Sequence, residues 1–260
     1  MIEAWLDLPS AAVFGVLALL YFCTGALIAT VAFGAVLGPR VKMLDGVVAP
    51  YFGAIAVLFA LLTGFLANDV GDRNRQAARA VQSEVAELRN VFTLSVASAS
   101  DMRAIRDDWT AYIKAATGEE WSAMTLGQSA PSVNAAYDDL LREVSHPKIA
   151  VEAGAAVHSA LLNAAVRVGT ARSERLALAS DNTSELKWAI VLILGVMTQI
   201  AIGLVHLHKR NAHITALTAF SVAVVFTLGL IALQEHPFAG SVRLSPAPLQ
   251  ELLKLHGPGG

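Results

Sequence analysis

Four long apolar segments that contain no Asp, Glu, Lys or Arg constrain this chain more than any other feature of its sequence. They are approximately residues 11–37, 47–67, 188–207 and 214–233. An α-helix needs about 20 such residues to cross the hydrocarbon core of a bilayer, and each segment is long enough. With 55% hydrophobic and only 15% charged residues, the chain is also too apolar for an ordinary soluble domain of 260 residues. We therefore predict an integral membrane protein.

The spacing of the segments predicts two transmembrane hairpins. Short loops join the first segment to the second and the third to the fourth, and residues 68–187 separate the pairs. The first segment lacks a basic leader and is too long for a signal peptide, so we interpret it as a retained span. Both short loops carry basic residues, Arg40 with Lys42 and Lys209 with Arg210, which places the loops in the cytoplasm by the positive-inside rule. The middle segment is then extracytoplasmic.

The middle segment has the pattern of an antiparallel helical bundle. Apolar residues recur every three or four positions in four stretches, as in helices that pack along one stripe. The first stripe, which follows the second span without a break, is Ala78, Val81, Val85, Leu88 and Phe92. Gly118 is expected to end the second helix and Pro147 to begin the fourth. Basic residues at the flanks of the bundle, among them Arg172 and Arg175, oppose an extracytoplasmic position, but long translocated domains respond weakly to the charge rule.

The predicted fold is an all-α integral membrane protein, in which four transmembrane helices form two hairpins that flank an antiparallel helical bundle. Sheet signals, such as sustained alternation of apolar and polar residues, are absent from the sequence. The predicted domains are the first hairpin at residues 1–67, the bundle at 68–187, the second hairpin at 188–234 and a C-terminal tail at 235–260.

Polar residues mark the point at which the second span ends. Asn68 and Asp69 follow the apolar run directly, and Thr63 precedes them within two turns. At a helix end such residues commonly meet interfacial water or cap a turn. If several subunits surround an axis, the same positions form rings of carboxylates and amides, which can select or gate ions. Thr63, Asn68 and Asp69 are therefore candidate pore or gate residues, with the interfacial interpretation as the alternative.

Three residues are candidates for contacts between helices. Gly34 and Gly38 form a GxxxG pattern, which lets helix backbones approach closely in lipid. The alternative for this pair is a glycine-rich helix end before Pro39. Gln199 is an amide near the bilayer centre, where it needs a hydrogen-bond partner on another helix.

Other kinds of site and partner are disfavoured by the sequence. A net charge of −2 gives no basic excess for nucleic acid, and the single cysteine excludes a disulfide framework. His206, His208 and His213 have no acidic or cysteine neighbour, so we assign them to a cytoplasmic anchor or to contacts with lipid headgroups rather than to a metal. The adjacent acids Glu119 and Glu120 are expected to be solvated on different helix faces. No nucleotide, nucleophile or zinc motif is found, and we expect no enzyme activity, metal or cofactor.

Three stretches together resemble a known family of membrane proteins. They are "GFLANDVGDRNRQAARAVQSEVAELRNVF", "ARSERLALASDNTSELKW" and "EHPFAGSVRLSPAPLQELL". In order and spacing they are similar to the corresponding blocks of the bestrophin-like domain-of-unknown-function family of bacterial membrane proteins. The most distinctive part is the Pro-Phe-x-Gly block formed by Pro237, Phe238 and Gly240.

The resemblance implies both an assembly and a function. Bestrophins are pentameric anion channels with four spans per subunit arranged as two hairpins. The resemblance thus implies a homo-oligomer in a bacterial cytoplasmic membrane, with a pore lined by span two and with Thr63, Gly64 and Asn68 near its mouth. Bestrophins keep their helical part in the cytoplasm, which differs from the orientation that the loop charges indicate here.

Two functions therefore remain for this chain. The favoured prediction is an oligomeric ion channel, with anion conduction implied by the resemblance alone. The alternative is a membrane sensor or scaffold whose helical bundle binds a ligand or a partner protein. The expected partners are further copies of the chain, the lipid bilayer and inorganic ions.

Overall fold

The computed structural model of the protein describes residues 5–6, 8–44, 49–98, 100–181, 183–240 and 242–256. Within these ranges all regular structure is helical and no strand occurs. The described residues fall into two compact units. The membrane unit contains the residues up to Asp72 and those from Thr183 to Glu235, and the bundle unit contains Arg73–Asp181 and the residues from His236 onward.

The helices are numbered along the chain. They are α1 (Ser10–Phe33), α2 (Gly38–Lys42), α3 (Ala49–Ala97), α4 (Arg103–Ala115), α5 (Trp121–Met124), α6 (Pro131–Val144), α7 (Pro147–Ala153), α8 (Ala155–Ser180), α9 (Glu185–Val205), α10 (Arg210–Ala232) and α11 (Ala247–Leu252). A π-helical segment at Ala116–Glu120 joins α4 to α5, and a 3₁₀ turn at Leu253–His256 follows α11.

Four of the described helices are long and apolar enough to cross a membrane. They are α1, α9, α10 and the first part of α3. In the membrane unit α1 packs against both α9 and α10, and its side chains Leu17 and Tyr21 are fully buried there. Trp188 of α9 is also buried and meets Trp5 edge to face, with ring centroids 5.4 Å apart.

The first apolar segment is not one helix over residues 11–37. Helix α1 ends at Phe33, Gly34 has extended backbone angles, and the short helix α2 begins at Gly38. A β-carbon at Gly34 would lie 2.6 Å from the carbonyl oxygen of Thr30, and one at Gly38 would lie 2.9 Å from that of Ala32. The two glycines therefore let the chain turn sharply at this helix end, and a role for them in contacts between helices stays a prediction.

The bundle unit is built around apolar residues of α3, α4, α6 and α8. Trp109 of α4 is fully buried, and its indole N–H donates to the carbonyl of Leu88 at 2.8 Å. Residues of the C-terminal segment pack into the same core. Phe238 is buried edge to face against Trp121 with ring centroids 5.6 Å apart, and Leu249 is buried in the same cluster.

The buried seam of α3 has the predicted spacing but is turned relative to the predicted stripe. Its buried positions in the bundle unit are Arg73, Ala77, Ala80, Val81, Glu84, Leu88, Val91 and Ser95, which apart from Ala80 recur in steps of four and three. Val81 and Leu88 were expected in the seam, whereas Val85 and Phe92 are only half-buried beside it. A purely apolar stripe could not include the charged Glu84, and the sequence pattern therefore favoured the neighbouring register.

One predicted helix end is wrong, and one predicted helix is divided in two. Gly118 does not end the second helix, because the chain continues through the π-helical segment into α5. The turn comes only at Gly127, whose φ of +66° lies in the left-handed region that favours glycine. The expected fourth helix does begin at Pro147, but Gly154 with a φ of +88° divides it into α7 and α8.

Candidate functional site

The exposed face of α3 in the membrane unit is the candidate functional site. An α-helix turns by about 100° per residue, so residues three and four apart share a face. Residues at this spacing are all exposed: Val57, Leu61, Gly64 and Asn68. The opposite side carries Thr63, Leu66 and Val70, which are buried. The part of α3 that reaches the end of the apolar run thus has one face inside the subunit and one face free of it.

The four predicted pore residues do not share that exposed face. Gly64 and Asn68 lie on it, but the Thr63 side chain points to the buried side, where only 8% of the residue is exposed. Asp69 lies between the two faces and forms an ion pair with Lys187, at 2.6 Å from carboxylate to ammonium. Asn68 donates a hydrogen bond from its amide to Asp72 at 3.0 Å. Of the four, Gly64 and Asn68 lie on the exposed face, and a role in a pore stays a prediction for all four.

Gly64 leaves free space on this face. A β-carbon placed there would meet no atom of the subunit within 4 Å. A larger side chain would therefore project outward without disturbing the packing within the subunit. A substitution at this position can test what the exposed face contacts outside the subunit.

Gln199 ties three helices together inside the membrane unit. Its amide nitrogen donates to the carbonyl of Tyr21 at 2.7 Å and to the hydroxyl of Ser221 at 2.9 Å. Its amide oxygen accepts from the hydroxyl of Thr24 at 2.6 Å. The side chain is fully buried, and its partners belong to α1 and α10. This amide is thus turned inward and satisfied, in contrast to the outward amide of Asn68.

Replacing Gln199 with leucine should lower the free energy of unfolding by about 1 kcal/mol, because hydrogen bonds between helices in membranes contribute on that order. The thermal midpoint of the purified protein in detergent would report the loss. Thr227→Val is the matched control, since the exposed Thr227 hydroxyl bonds only to the carbonyl of Ala223 in its own helix. Equal shifts for the two variants would contradict a role of Gln199 between helices.

A network of buried charges occupies the centre of the bundle unit. The guanidinium of Arg175 donates to Glu84 at 2.6 Å and to Glu120 at 2.9 Å. Arg172 donates to Glu120 at 2.5 Å, and the hydroxyl of Tyr112 donates to Glu84 at 2.5 Å. Arg175 and both glutamates are fully buried, so two cations and two anions balance each other away from water.

The network shifts the protonation equilibria of its members. Burial alone would raise the pKa of Glu120, but hydrogen bonds from Arg172 and the charge of Arg175 more than offset burial, and the pKa is lowered. Burial, followed by the charge of Glu84, raises the pKa of Tyr112 well above its ordinary value. Because the pKa of Glu120 is lowered on folding, this carboxylate contributes stability at neutral pH that is lost as the pH falls through the lowered value.

This network corrects two expectations from the sequence. Glu120 is not a solvated charge, and Arg172 and Arg175, which the sequence placed at the flanks of the bundle, are buried inside it. The π-helical segment that ends at Glu120 adds a residue to the turn and brings this carboxylate to the inner face. A signal was available, because the two arginines continue the spacing of the buried seam of α8: Leu161, Ala165, Val168, Arg172 and Arg175.

The Pro-Phe-x-Gly block lies in the bundle unit. Phe238 fills the core as described, and Gly240 has a φ of +77°, which an L-residue with a side chain rarely adopts. The carbonyl of Pro237 accepts a hydrogen bond from the backbone N–H of Leu244 at 2.8 Å. The block thus forms a tight turn that inserts one aromatic side chain into the core.

Comparison with known proteins identifies the family. Residues 19–249 match the family model described as "Bestrophin-like domain". The chain belongs to the bestrophin-like family. A search of curated proteins finds no match to the sequence.

Solved structures share the fold at low sequence identity. A mutated form of a bacterial bestrophin homolog from Klebsiella pneumoniae is 16% identical, with a TM-score of 0.67, and the match covers 94% of this chain and 99% of that one. A structure described as a membrane protein, in a substituted form, is 12% identical with a TM-score of 0.68 and the same coverage of both chains. This bestrophin-like chain is therefore a helical membrane protein with a bestrophin-like fold.

One histidine of this bestrophin-like protein is not where the sequence predicted it. His213 was expected in a loop or among lipid headgroups, but its side chain is fully buried and meets the ring of Phe33 edge to face at 5.0 Å. Its position at the start of α10, next to basic residues, hid this packing role. Among the described residues no group of histidines, cysteines and carboxylates is arranged to hold a metal ion.

Proposed function

We propose that this bestrophin-like protein is an oligomeric ion channel in a bacterial cytoplasmic membrane, in which the exposed face of α3 lies nearest the symmetry axis. Its four apolar helices act as two hairpins in this proposal, and at least four copies assemble. Family membership supports a channel, and the arrangement of α3 supports the choice of helix.

The observation that carries the proposal is the outward position of Gly64 and Asn68 on one face of α3. An amide that faces lipid is costly, because hydrocarbon offers no hydrogen-bond partner. Gln199, an amide near the bilayer centre, is accordingly buried and satisfied. Asn68 already donates to Asp72, and an aqueous axis shared by several subunits would hydrate the rest of its amide.

The residues along the same face differ in size and polarity, which suits a pore lining whose width and polarity vary along the axis. Val57 and Leu61 are exposed and apolar, whereas Gly64 contributes no side chain and Asn68 offers a polar amide. Apolar rings can gate a pore by excluding water, and amide rings can contact permeating ions. Thr63 and Asp69 are proposed to support the lining rather than to form it.

The test is ion flux into liposomes that contain the purified protein, with Gly64→Leu as the decisive variant. We expect flux from the unaltered protein and a roughly tenfold lower flux from the variant. One leucine from each copy would project toward the axis at the same height and narrow the pore there. The leucine meets no atom of its own subunit at the β-carbon, so folding should be preserved.

Gly15→Leu is the matched control for this experiment. Gly15 is an exposed glycine of α1, and a β-carbon there also meets no atom within 4 Å. The control should keep the flux of the unaltered protein. Equal flux from both variants would show that α3 does not line the conduction path. Absence of flux from folded, inserted protein, or a monomer in detergent, would overturn the channel and favour the sensor or scaffold alternative.

A further inference from the structure

The charges of α3 in the bundle unit are divided between two faces. Its acids are turned toward the subunit: Glu84 is fully buried beside Arg175, and Glu87 is 2.9 Å from Arg167 with only 17% of its side chain exposed. Arg79 and Arg89 are exposed. The outward side of this part of the helix is therefore positive, although the whole chain carries a net charge of −2.

Arg79 and Arg89 share one face of the helix. Exposed residues at three- and four-residue steps run along it: Arg79, Gln82, Ala86 and Arg89. This face lies opposite the buried seam that contains Val81, Glu84 and Leu88. Neither arginine has a carboxylate partner within the part of the chain that the structure describes, whereas Arg172 and Arg175 are paired.

The two arginines also lie beyond the reach of lipid headgroups. Arg79 comes 12 residues and Arg89 comes 22 residues after Ala67, the last residue of the apolar run. At ~1.5 Å per residue these separations are about 18 Å and about 33 Å along one continuous helix. The headgroup layer is only about 5–8 Å thick on each side, so even a strongly tilted helix would place Arg89 in water. Dissolved anions, rather than lipid phosphates, are the ligands that can reach it.

We propose that Arg79 and Arg89 form a positive stripe that concentrates small inorganic anions in the aqueous part of the conduction path. This inference rests on the proposed function, because only an assembly with α3 nearest its axis turns the stripe toward permeating ions. Each copy then adds two exposed guanidinium groups to a common space. Like charges that line a confined space raise the local concentration of counterions, and the effect weakens as salt screens the charges.

The experiment measures the reversal potential of the reconstituted channel in a KCl gradient, for the unaltered protein and for the double variant Arg79→Gln/Arg89→Gln. We expect the ratio of chloride to potassium permeability to fall about two- to tenfold at ~0.1 M salt. Near 1 M salt, where the screening length is only about 3 Å, the two proteins should differ little. A purely structural role of the arginines would not produce this dependence on salt.

The control is the double variant Arg103→Gln/Arg142→Gln. It removes the same charge from exposed arginines of α4 and α6, which lie on other helices and pair with their own neighbours. The control should leave the permeability ratio unchanged, and an equal fall in both double variants would overturn the stripe.

The failures of the two proposals are distinguishable. A conducting channel whose permeability ratio is the same with and without Arg79 and Arg89 overturns the stripe and leaves the channel in place. No conduction by the folded unaltered protein overturns the channel and the stripe together. An effect seen only in bilayers with anionic lipid would assign the arginines to lipid phosphates and would also overturn the stripe.

Discussion

Replacement of Arg175 by methionine is expected to lower the free energy of unfolding of the bundle unit by about 3–5 kcal/mol, the usual cost of removing one member of a buried ion pair. Methionine fills most of the volume but leaves Glu84 with the hydroxyl of Tyr112 and without a cation. Glu120 keeps its pair with Arg172. The loss therefore comes mainly from one buried, uncompensated carboxylate.

A second substitution tests this account. Adding Glu84→Gln to Arg175→Met removes the stranded charge and keeps an oxygen for the Tyr112 hydroxyl, so the double variant should be more stable than Arg175→Met alone. Arg142→Met is the control, because the exposed pair of Arg142 with Asp139 contributes little. Thermal unfolding in detergent compares the four proteins. No recovery in the double variant would show that packing, rather than charge, explains the loss.

Trp188 is the second position at which we expect a large effect. Its ring is fully buried in the membrane unit, and its indole N–H donates to the buried carboxylate of Glu235 at 3.2 Å. Trp188→Phe removes this hydrogen bond to a charged group and should cost about 1.5–3 kcal/mol. Trp188→Ala also opens a cavity against Trp5, and the total loss should reach about 3–5 kcal/mol.

Comparison with Trp5→Phe separates two contributions to the loss of stability: the hydrogen bond to the carboxylate of Glu235 and the loss of an indole ring. The N–H of Trp5 donates to the neutral carbonyl of Val13 at 3.3 Å, so its removal should cost only about 0.5–1.5 kcal/mol. Thermal midpoints of the three variants should fall in the order Trp5→Phe, Trp188→Phe and Trp188→Ala, with the last the lowest. A midpoint for Trp188→Phe at or above that of Trp5→Phe would contradict the role given to Glu235.

The sequence predicted what depends on composition and periodicity along one helix. The apolar segments of α1, α3, α9 and α10 are helices of sufficient length to cross a membrane, and the family resemblance is confirmed by the match over residues 19–249. Heptad spacing in the bundle was also visible, because a buried helix face imposes that period whatever residues fill it.

The interior of the bundle was harder to predict because it contains charges. An apolar stripe excludes Glu84, although the buried seam includes this residue. For the same reason the two arginines in the seam of α8 were assigned to the flanks of the bundle. Buried charges become plausible only when their partners are known, and those partners lie far apart in sequence: Arg175 is 91 residues from Glu84. Likewise, Asn68 and Asp69 are adjacent in sequence, but the turn of the helix between them makes their surroundings different. The amide is exposed, whereas the carboxylate forms an ion pair.

The unbroken course of α3 limits how this protein can change in length. Loops absorb insertions easily, but no loop lies between Val70, the last buried residue of α3 in the membrane unit, and Ala77, its first buried apolar residue in the bundle unit. Deleting one residue there would turn every following side chain by about 100° relative to every preceding one. Glu84 and Leu66 could then no longer both be buried. Only steps of about seven residues, two full turns, would preserve both faces, so this segment tolerates changes of identity far better than changes of length.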